Sequence, residues 1–193
     1  MRHLRLILIS GLILGLSFSV VVNLLQARQL YWLQRNEGAL LPGTTVPDVV
    51  ATDSAGQSAR ISLHTSQPTI IYVFRPRCAW CGRNDRAINA LVSKVAGRYH
   101  IAGLALDQIQ LSMFLKAHQM PFPVYHDPSL ATIAAYHLRT TPSTIVVGTD
   151  GKILRTFTGA YTETTKASLE KFFSITLPFD AGLEDRQLSL KEQ

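Results

Sequence analysis

The sequence predicts a layered α/β fold preceded by one N-terminal transmembrane helix. Three observations predict it. From about residue 42 onward, short apolar runs alternate with helix-period patterns, as they do in layered α/β domains. One of these runs, Thr69 to Phe74 (TIIYVF), is continuously apolar, as a strand buried on both faces requires. At the amino end, Leu6 to Leu25 is an uncharged stretch, LILISGLILGLSFSVVVNLL. About twenty such residues at ~1.5 Å each cover a hydrocarbon core roughly 30 Å thick.

Residues 1–27 are the membrane-anchor segment on this reading, with Arg2, His3 and Arg5 before the span and Arg28 and Arg35 after it. His3 and the amino terminus tip the positive-inside balance toward an amino end in the cytoplasm, which exports everything downstream. A cleaved secretory signal stays open as a second reading, because Ser17 and Ser19 offer a small-residue pair inside the apolar run. Residues 28–41 form a juxtamembrane linker in which Tyr31 and Trp32 fit an interfacial aromatic pair, and Pro42-Gly43 punctuates its end.

The folded domain covers residues 42–175. Val46 to Leu63 reads as two short strands around Asp53-Ser54-Ala55-Gly56, and TIIYVF follows as the next strand. Ile88, Leu91, Val92 and Val95 recur at i, i+3, i+4 and i+7, which predicts a helix over Gly82 to Ala96 stopped by Gly97. Tyr99 to Leu106 is a strand, and a helix carrying Ile109, Met113, Phe114 and Leu115 ends before Pro121. Phe122 to Tyr125 is a short strand and Pro128 to Tyr136 a short helix. Ser143 to Gly148 and Ile153 to Thr158 flank Asp150-Gly151, a hairpin signal. Thr162 to Phe173 is the last helix, packing through Leu169, Phe172 and Phe173, and residues 176–193 form a polar tail.

Composition narrows the function. Of 193 residues, 47% are hydrophobic and 17% charged, which describes a chain that folds around a core. Two cysteines exclude a disulfide-stapled miniprotein and a four-thiolate zinc site. The net charge is +6, yet Lys and Arg are scattered rather than gathered in the dense run of a nucleic-acid binder, so no nucleic-acid partner is expected.

The chemistry lies in Cys78-Ala79-Trp80-Cys81, placed directly between a buried strand and a helix. Unpaired N–H groups and the dipole at a helix start favour a negative group, and so favour the thiolate of Cys78. Arg75, Arg77, Arg83 and Arg86 act in the same direction, opposed only by Asp85, and Arg75 and Arg77 are the expected tuning residues. One helical turn brings Cys81 within disulfide reach of Cys78. Cys78 is therefore expected to be the exposed attacker and Cys81 the buried resolving thiol, working through a mixed disulfide.

The bland alternatives are weaker. A structural disulfide closing so short a loop stabilises little. Haem attachment needs a histidine at position 82, which is Gly82. His64, His100, His118, His126 and His137 show no ligand spacing, so neither a metal site nor a cofactor is expected. Two further positions have open readings. Pro142, in Thr140-Thr141-Pro142, is either a strand-entry proline or a cis proline opposite the cysteines, with the Thr141 backbone free to pair with a substrate strand. Trp80 is either a contact for a client's apolar segment or a tolerated loop residue, and Asp107 either a helix cap or a proton acceptor for Cys81.

With the cysteine pair, TTPSTIVVGTDGKILRTFTG and the leading hairpin GTTVPDVVATDSAGQSARISL, the chain resembles the thioredoxin superfamily over roughly Pro42 to Phe173. Within it, the resemblance is to the membrane-anchored, extracytoplasmic TlpA/ResA-like thiol-disulfide oxidoreductases. It implies a thioredoxin-like central mixed sheet flanked by helices, Cys78 as nucleophile, Cys81 as resolver and Pro142 as a cis proline facing them. It also implies client proteins with cysteine thiols or disulfides, apocytochromes among them, a membrane electron-transfer partner, and a domain on the periplasmic side of the inner membrane. The chain departs from the pattern at Arg77, where a tryptophan is usual, at Asn84, where a glutamate is frequent, and at Tyr72, where thioredoxins bury an acid. The proline common between the cysteines is also missing. Two other classes stay open. A peroxiredoxin-like peroxidase would need Pro and Thr where Ile71 and Arg75 stand, and a copper chaperone would use the two thiolates for a soft ion.

Overall fold

The computed structural model describes residue 11, residues 14–29 and residues 40–178. The chain divides into two compact units, Met1–Ala39 and Leu40–Gln193. In the first, residues 14–29 form a helix, α1, whose Leu14, Leu16, Phe18, Val20, Val21, Leu24 and Leu25 are all exposed. Among the described residues no helix is long and apolar enough to cross a membrane. The expected span from Leu6 to Leu25 lies partly outside the described residues, as do Tyr31 and Trp32.

The second unit carries one seven-stranded sheet of order β2-β1-β5-β4-β3-β6-β7. Its strands are β1 (Val49–Thr52), β2 (Ser58–Ile61), β3 (Thr69–Phe74), β4 (His100–Ala105), β5 (Val124–His126), β6 (Ser143–Val147) and β7 (Ile153–Thr158). β3 runs parallel to β4, and β4 to β5, while β6 runs antiparallel to β3 and to β7. The sheet is therefore mixed, and all six residues of β3 are buried in it.

Helices cover both faces: α2 (Ala79–Arg83), α3 (Asp85–Val95), α4 (Leu111–His118), α5 (Leu130–Ala135) and α6 (Glu163–Phe173). Side chains alternate along β3, and this splits the core in two. Ile70, Tyr72 and Phe74 pack with Ile88, Leu91 and Val95 of α3, Phe114 of α4, and Leu169 and Phe173 of α6. Ile71 and Val73 pack instead with Val49, Leu63, Leu104, Tyr136 and Leu138. On that second face Thr132 of α5 accepts from the Val50 N–H and donates to the Val50 carbonyl, tying the helix to strand β1.

Two elements differ from the sequence reading. The helix expected over Gly82 to Ala96 begins earlier, at Ala79, and is broken at Asn84 into α2 and α3. The cause is tertiary, because the Asn84 side chain is drawn inward to accept the Tyr161 N–H at 2.9 Å. Ile109, expected on the following helix, precedes it in a turn that Asp107 holds through the Ile109 N–H. Leu177, in the stretch assigned to the tail, is buried and bonded to Glu170, while residues 179–193 lie outside the described residues.

Candidate active site

β3 ends at Phe74 in the middle of the sheet and delivers the chain to Arg75-Pro76-Arg77 above its edge. The Cys78 N–H donates to the Arg75 carbonyl at 3.0 Å and closes this turn. The Cys78 carbonyl then accepts the N–H groups of Cys81 and Gly82 at 3.0 and 3.3 Å, so Cys78 is the N-cap of α2. One turn of helix thus separates two thiols of different character. Cys78 is half-buried and Cys81 fully buried, and both are free. Burial pushes the Cys81 thiol up from 9.0 to about 12, helped by the hydrogen bond it donates to Cys78 and opposed by the Arg75 backbone and Thr141.

Opposite the pair, the Thr141–Pro142 peptide is cis. The Cys78 thiol donates to the Thr141 carbonyl across 3.7 Å, and the Pro142 carbonyl accepts the Gly159 N–H at 2.8 Å. The β6 ladder begins only at Ser143, so the Thr141 backbone stands outside the sheet beside Cys78. Of the two readings of Pro142, the cis one is what the fold adopts.

Other expected residues fall around this centre. Arg75 and Arg77 are exposed, and neither is ion-paired among the described residues. Trp80 is 44% exposed, with the Arg83 guanidinium 4.6 Å from its ring centroid. Asp107 accepts the Ile109 N–H at 3.1 Å in the turn before α4, whose N-cap is Gln110, so Asp107 does not cap the helix as the sequence reading expected.

Behind Cys81 lies a buried polar chain of neutral groups. The Tyr72 hydroxyl donates to the Cys81 carbonyl at 3.3 Å, Asn84 holds the Tyr161 N–H, and the Tyr161 and Thr144 hydroxyls are bonded to each other. Thr144 lies two residues after Pro142, so the chain links the helix bearing Cys81 to the strand that follows the cis peptide. Burial raises the pKa of Tyr72 and of Tyr161, the second partly offset by the Thr144 hydrogen bond.

His118, at the end of α4, bonds Asp85 at 3.1 Å and lies against Gly82, where an added Cβ would come within 3.0 Å of the imidazole. Sequence reasoning missed Tyr161, Thr144 and His118. Their partners are 77, 17 and 33 residues away, and no local pattern marks them. Among the described residues no three His, Cys, Asp or Glu side chains gather as a metal site would require.

The profile of the AhpC/TSA family matches residues 42–156, from the Pro42 turn into β7, and so takes in the cysteine pair, strands β1 to β6 and the start of β7. The chain belongs to the AhpC/TSA family. This AhpC/TSA domain is similar to the thiol-disulfide oxidoreductase ResA of Bacillus cereus (strain ZK / E33L), 24% identical over 139 residues, covering 70% of this chain and 79% of the relative. Among solved structures, a putative thiol:disulfide interchange protein DsbE from Chlorobium tepidum shares the fold with a TM-score of 0.60 at 21% identity, covering 70% of this chain and 98% of that one. StoA from Bacillus subtilis does so with 0.53 at 18%, covering 70% and 98%. The AhpC/TSA domain is thus an oxidoreductase of the thioredoxin superfamily, homologous to ResA.

Proposed function

We propose that this AhpC/TSA protein is a membrane-anchored thiol-disulfide oxidoreductase that exchanges electron pairs with cysteines of client proteins outside the cytoplasm. The observation that carries it is the asymmetry of the pair: a half-buried Cys78 facing the Thr141 backbone, above a fully buried Cys81. The thiolate of Cys78 attacks a client disulfide, forming a Cys78–client disulfide and releasing the client's first sulfur as thiolate. Cys81 gives up its proton and attacks Cys78, closing the Cys78–Cys81 disulfide and releasing the second client sulfur. Two electrons pass to the client, and the same steps run backwards oxidise a client dithiol.

In this mechanism Arg75 and Arg77 set positive charge on the loop before Cys78, Trp80 and Thr141 meet the client chain, and Pro142 shapes the loop beside the pair. A membrane electron-transfer partner would reset the dithiol. The peroxidase reading gains nothing from the site, since Ile71 is wholly buried in β3 and Arg75 stands where that pattern needs threonine. The test is insulin reduction by dithiothreitol with the full chain in non-ionic detergent. An acceleration of about tenfold or more over dithiothreitol alone is expected, and none would refute the reading.

The anchor and orientation rest on the uncharged stretch from Leu6 to Leu25 and the basic residues around it. In bacterial cells expressing the full chain, the protein should stay in the membrane pellet through an alkaline carbonate wash. A membrane-impermeant maleimide applied to spheroplasts should label Cys78. Release by the wash would refute the anchor, and labelling only after lysis would refute the orientation.

A further inference from the structure

The rim of the redox pair carries more positive charge than the exchange reaction needs. Arg75 and Arg77 are exposed on the loop before Cys78, Arg83 stands on α2, and Arg139 is exposed two residues before Thr141 on the opposite side of the nucleophile. None of these four is ion-paired with a carboxylate among the described residues. Two carboxylates on the neighbouring segments keep their charge but pair with none of the four: Asp85 bonds His118 at 3.1 Å and Asp107 accepts the Ile109 N–H at 3.1 Å.

One of the four is also held in place. Arg83 is half-buried with its guanidinium over the exposed ring of Trp80, a flat apolar surface with a fixed cation above it. Cys78 reaches across to Thr141, so a client sulfur arriving at Cys78 must come between the arginine-bearing loop and the Arg139 side. An excess of charge of one sign around a reactive centre, here four arginines against two carboxylates, steers partners of the opposite sign and raises their association rate.

We propose that this face selects polypeptide clients whose reactive disulfide or dithiol lies in an acidic segment, carboxylates meeting the arginines while an apolar neighbour covers Trp80. The proposal rests on the exchange reading above and names its substrate class. The chemical step is unchanged: the Cys78 sulfur bonds to one client sulfur, the client disulfide breaks, and Cys81 completes the two-electron transfer.

The experiment uses the reduced full chain in non-ionic detergent and three peptides, each carrying one cysteine as its mixed disulfide with thionitrobenzoate. The flanking residues are Asp and Glu, Ser and Gln, or Lys. Release of thionitrobenzoate gives the second-order rate constant. At low ionic strength the acidic peptide should react about tenfold faster than the neutral one and the basic peptide more slowly. At about 0.5 M salt, where the Debye length is only a few ångströms, the ratio should shrink several-fold.

Because a change in Cys78 reactivity would alter all three rates together, the readout is the acidic-to-neutral ratio. That ratio should collapse in R77Q/R139Q and be kept in R77K/R139K. Equal rates for the three peptides, or a ratio indifferent to R77Q/R139Q, would overturn the acidic preference while leaving the exchange reading intact. Absence of release from every peptide would overturn both.

Discussion

Cys78→Ser should lower thiol-disulfide exchange by about three orders of magnitude or more, because a hydroxyl provides no nucleophilic anion near neutral pH. Cys81→Ala should behave differently. Its Cys78 remains half-buried beside Thr141 and still attacks, but the resolving sulfur is gone. The first, single-turnover phase of insulin reduction should survive in this variant while turnover stops, and the mixed disulfide should accumulate on non-reducing gels. The two roles follow from burial, since Cys81 has no exposed surface and holds its proton to about pH 12. Alkylation provides a second check: a small iodoacetamide pulse at neutral pH should label Cys78 well before Cys81. If Cys81 is labelled first, or if Cys81→Ala loses the first phase as completely as Cys78→Ser, the assignment of attacker and resolver is reversed.

Much of this site could be read from the chain, and the parts that could not share one cause. TIIYVF marks a central strand because both its faces are apolar, and β3 has the expected bounds, Thr69–Phe74. Ile153 to Thr158 is likewise β7, because Asp150-Gly151 fixes the turn before it and Gly151 takes a positive φ of 73°. The start of α2 was misjudged because the apolar period begins only at Ile88, whereas Ala79, Trp80 and Arg83 show no periodicity at all. The break at Asn84 was invisible for another reason: the group that draws its side chain inward is the backbone of Tyr161, 77 residues away. The same holds for Cys78 and Thr141, separated by 63 residues. Residue-level reading left Pro142 open, and only the resemblance of the whole pattern placed it opposite the cysteines. Local patterns encode strands and turns; contacts between distant segments are encoded by packing alone.

The buried phenols of the two core faces make alkaline pH the condition that should unfold this domain. In the folded protein Cys81 is pushed from 9.0 to about 12, and Tyr72, Tyr136 and Tyr161 are all raised from 10.0, in each case by burial first. Tyr72 is raised further by Tyr161 and Cys81, and Tyr136 by the Asp48 carboxylate. The unfolded chain releases these protons at ordinary values, so from about pH 9 upward it binds fewer protons than the folded one. Stability therefore falls as pH rises, being fully present below pH 9. Each such group steepens the fall by about 1.4 kcal/mol per pH unit while it is protonated only in the folded state. Between pH 9 and 10 Cys81 acts alone; above about 10.5 all four act, at a combined slope approaching ~5 kcal/mol per unit. Against the ~5–15 kcal/mol typical of a domain, a loss of about 5 kcal/mol by pH 11 and about 10 by pH 12 is enough to unfold a domain in the lower part of that range. Urea midpoints at stepped pH, followed by circular dichroism, should show the decline in the reduced protein. In Cys81→Ala its first leg, between pH 9 and 10, should vanish. Tyrosinate absorbance near 295 nm should rise together with the loss of helix signal, since the buried phenols ionise when the domain opens. A midpoint that stays flat to pH 11, or phenols that titrate fully while the helix signal persists, would mean that the chain behind Cys81 is wet rather than sealed.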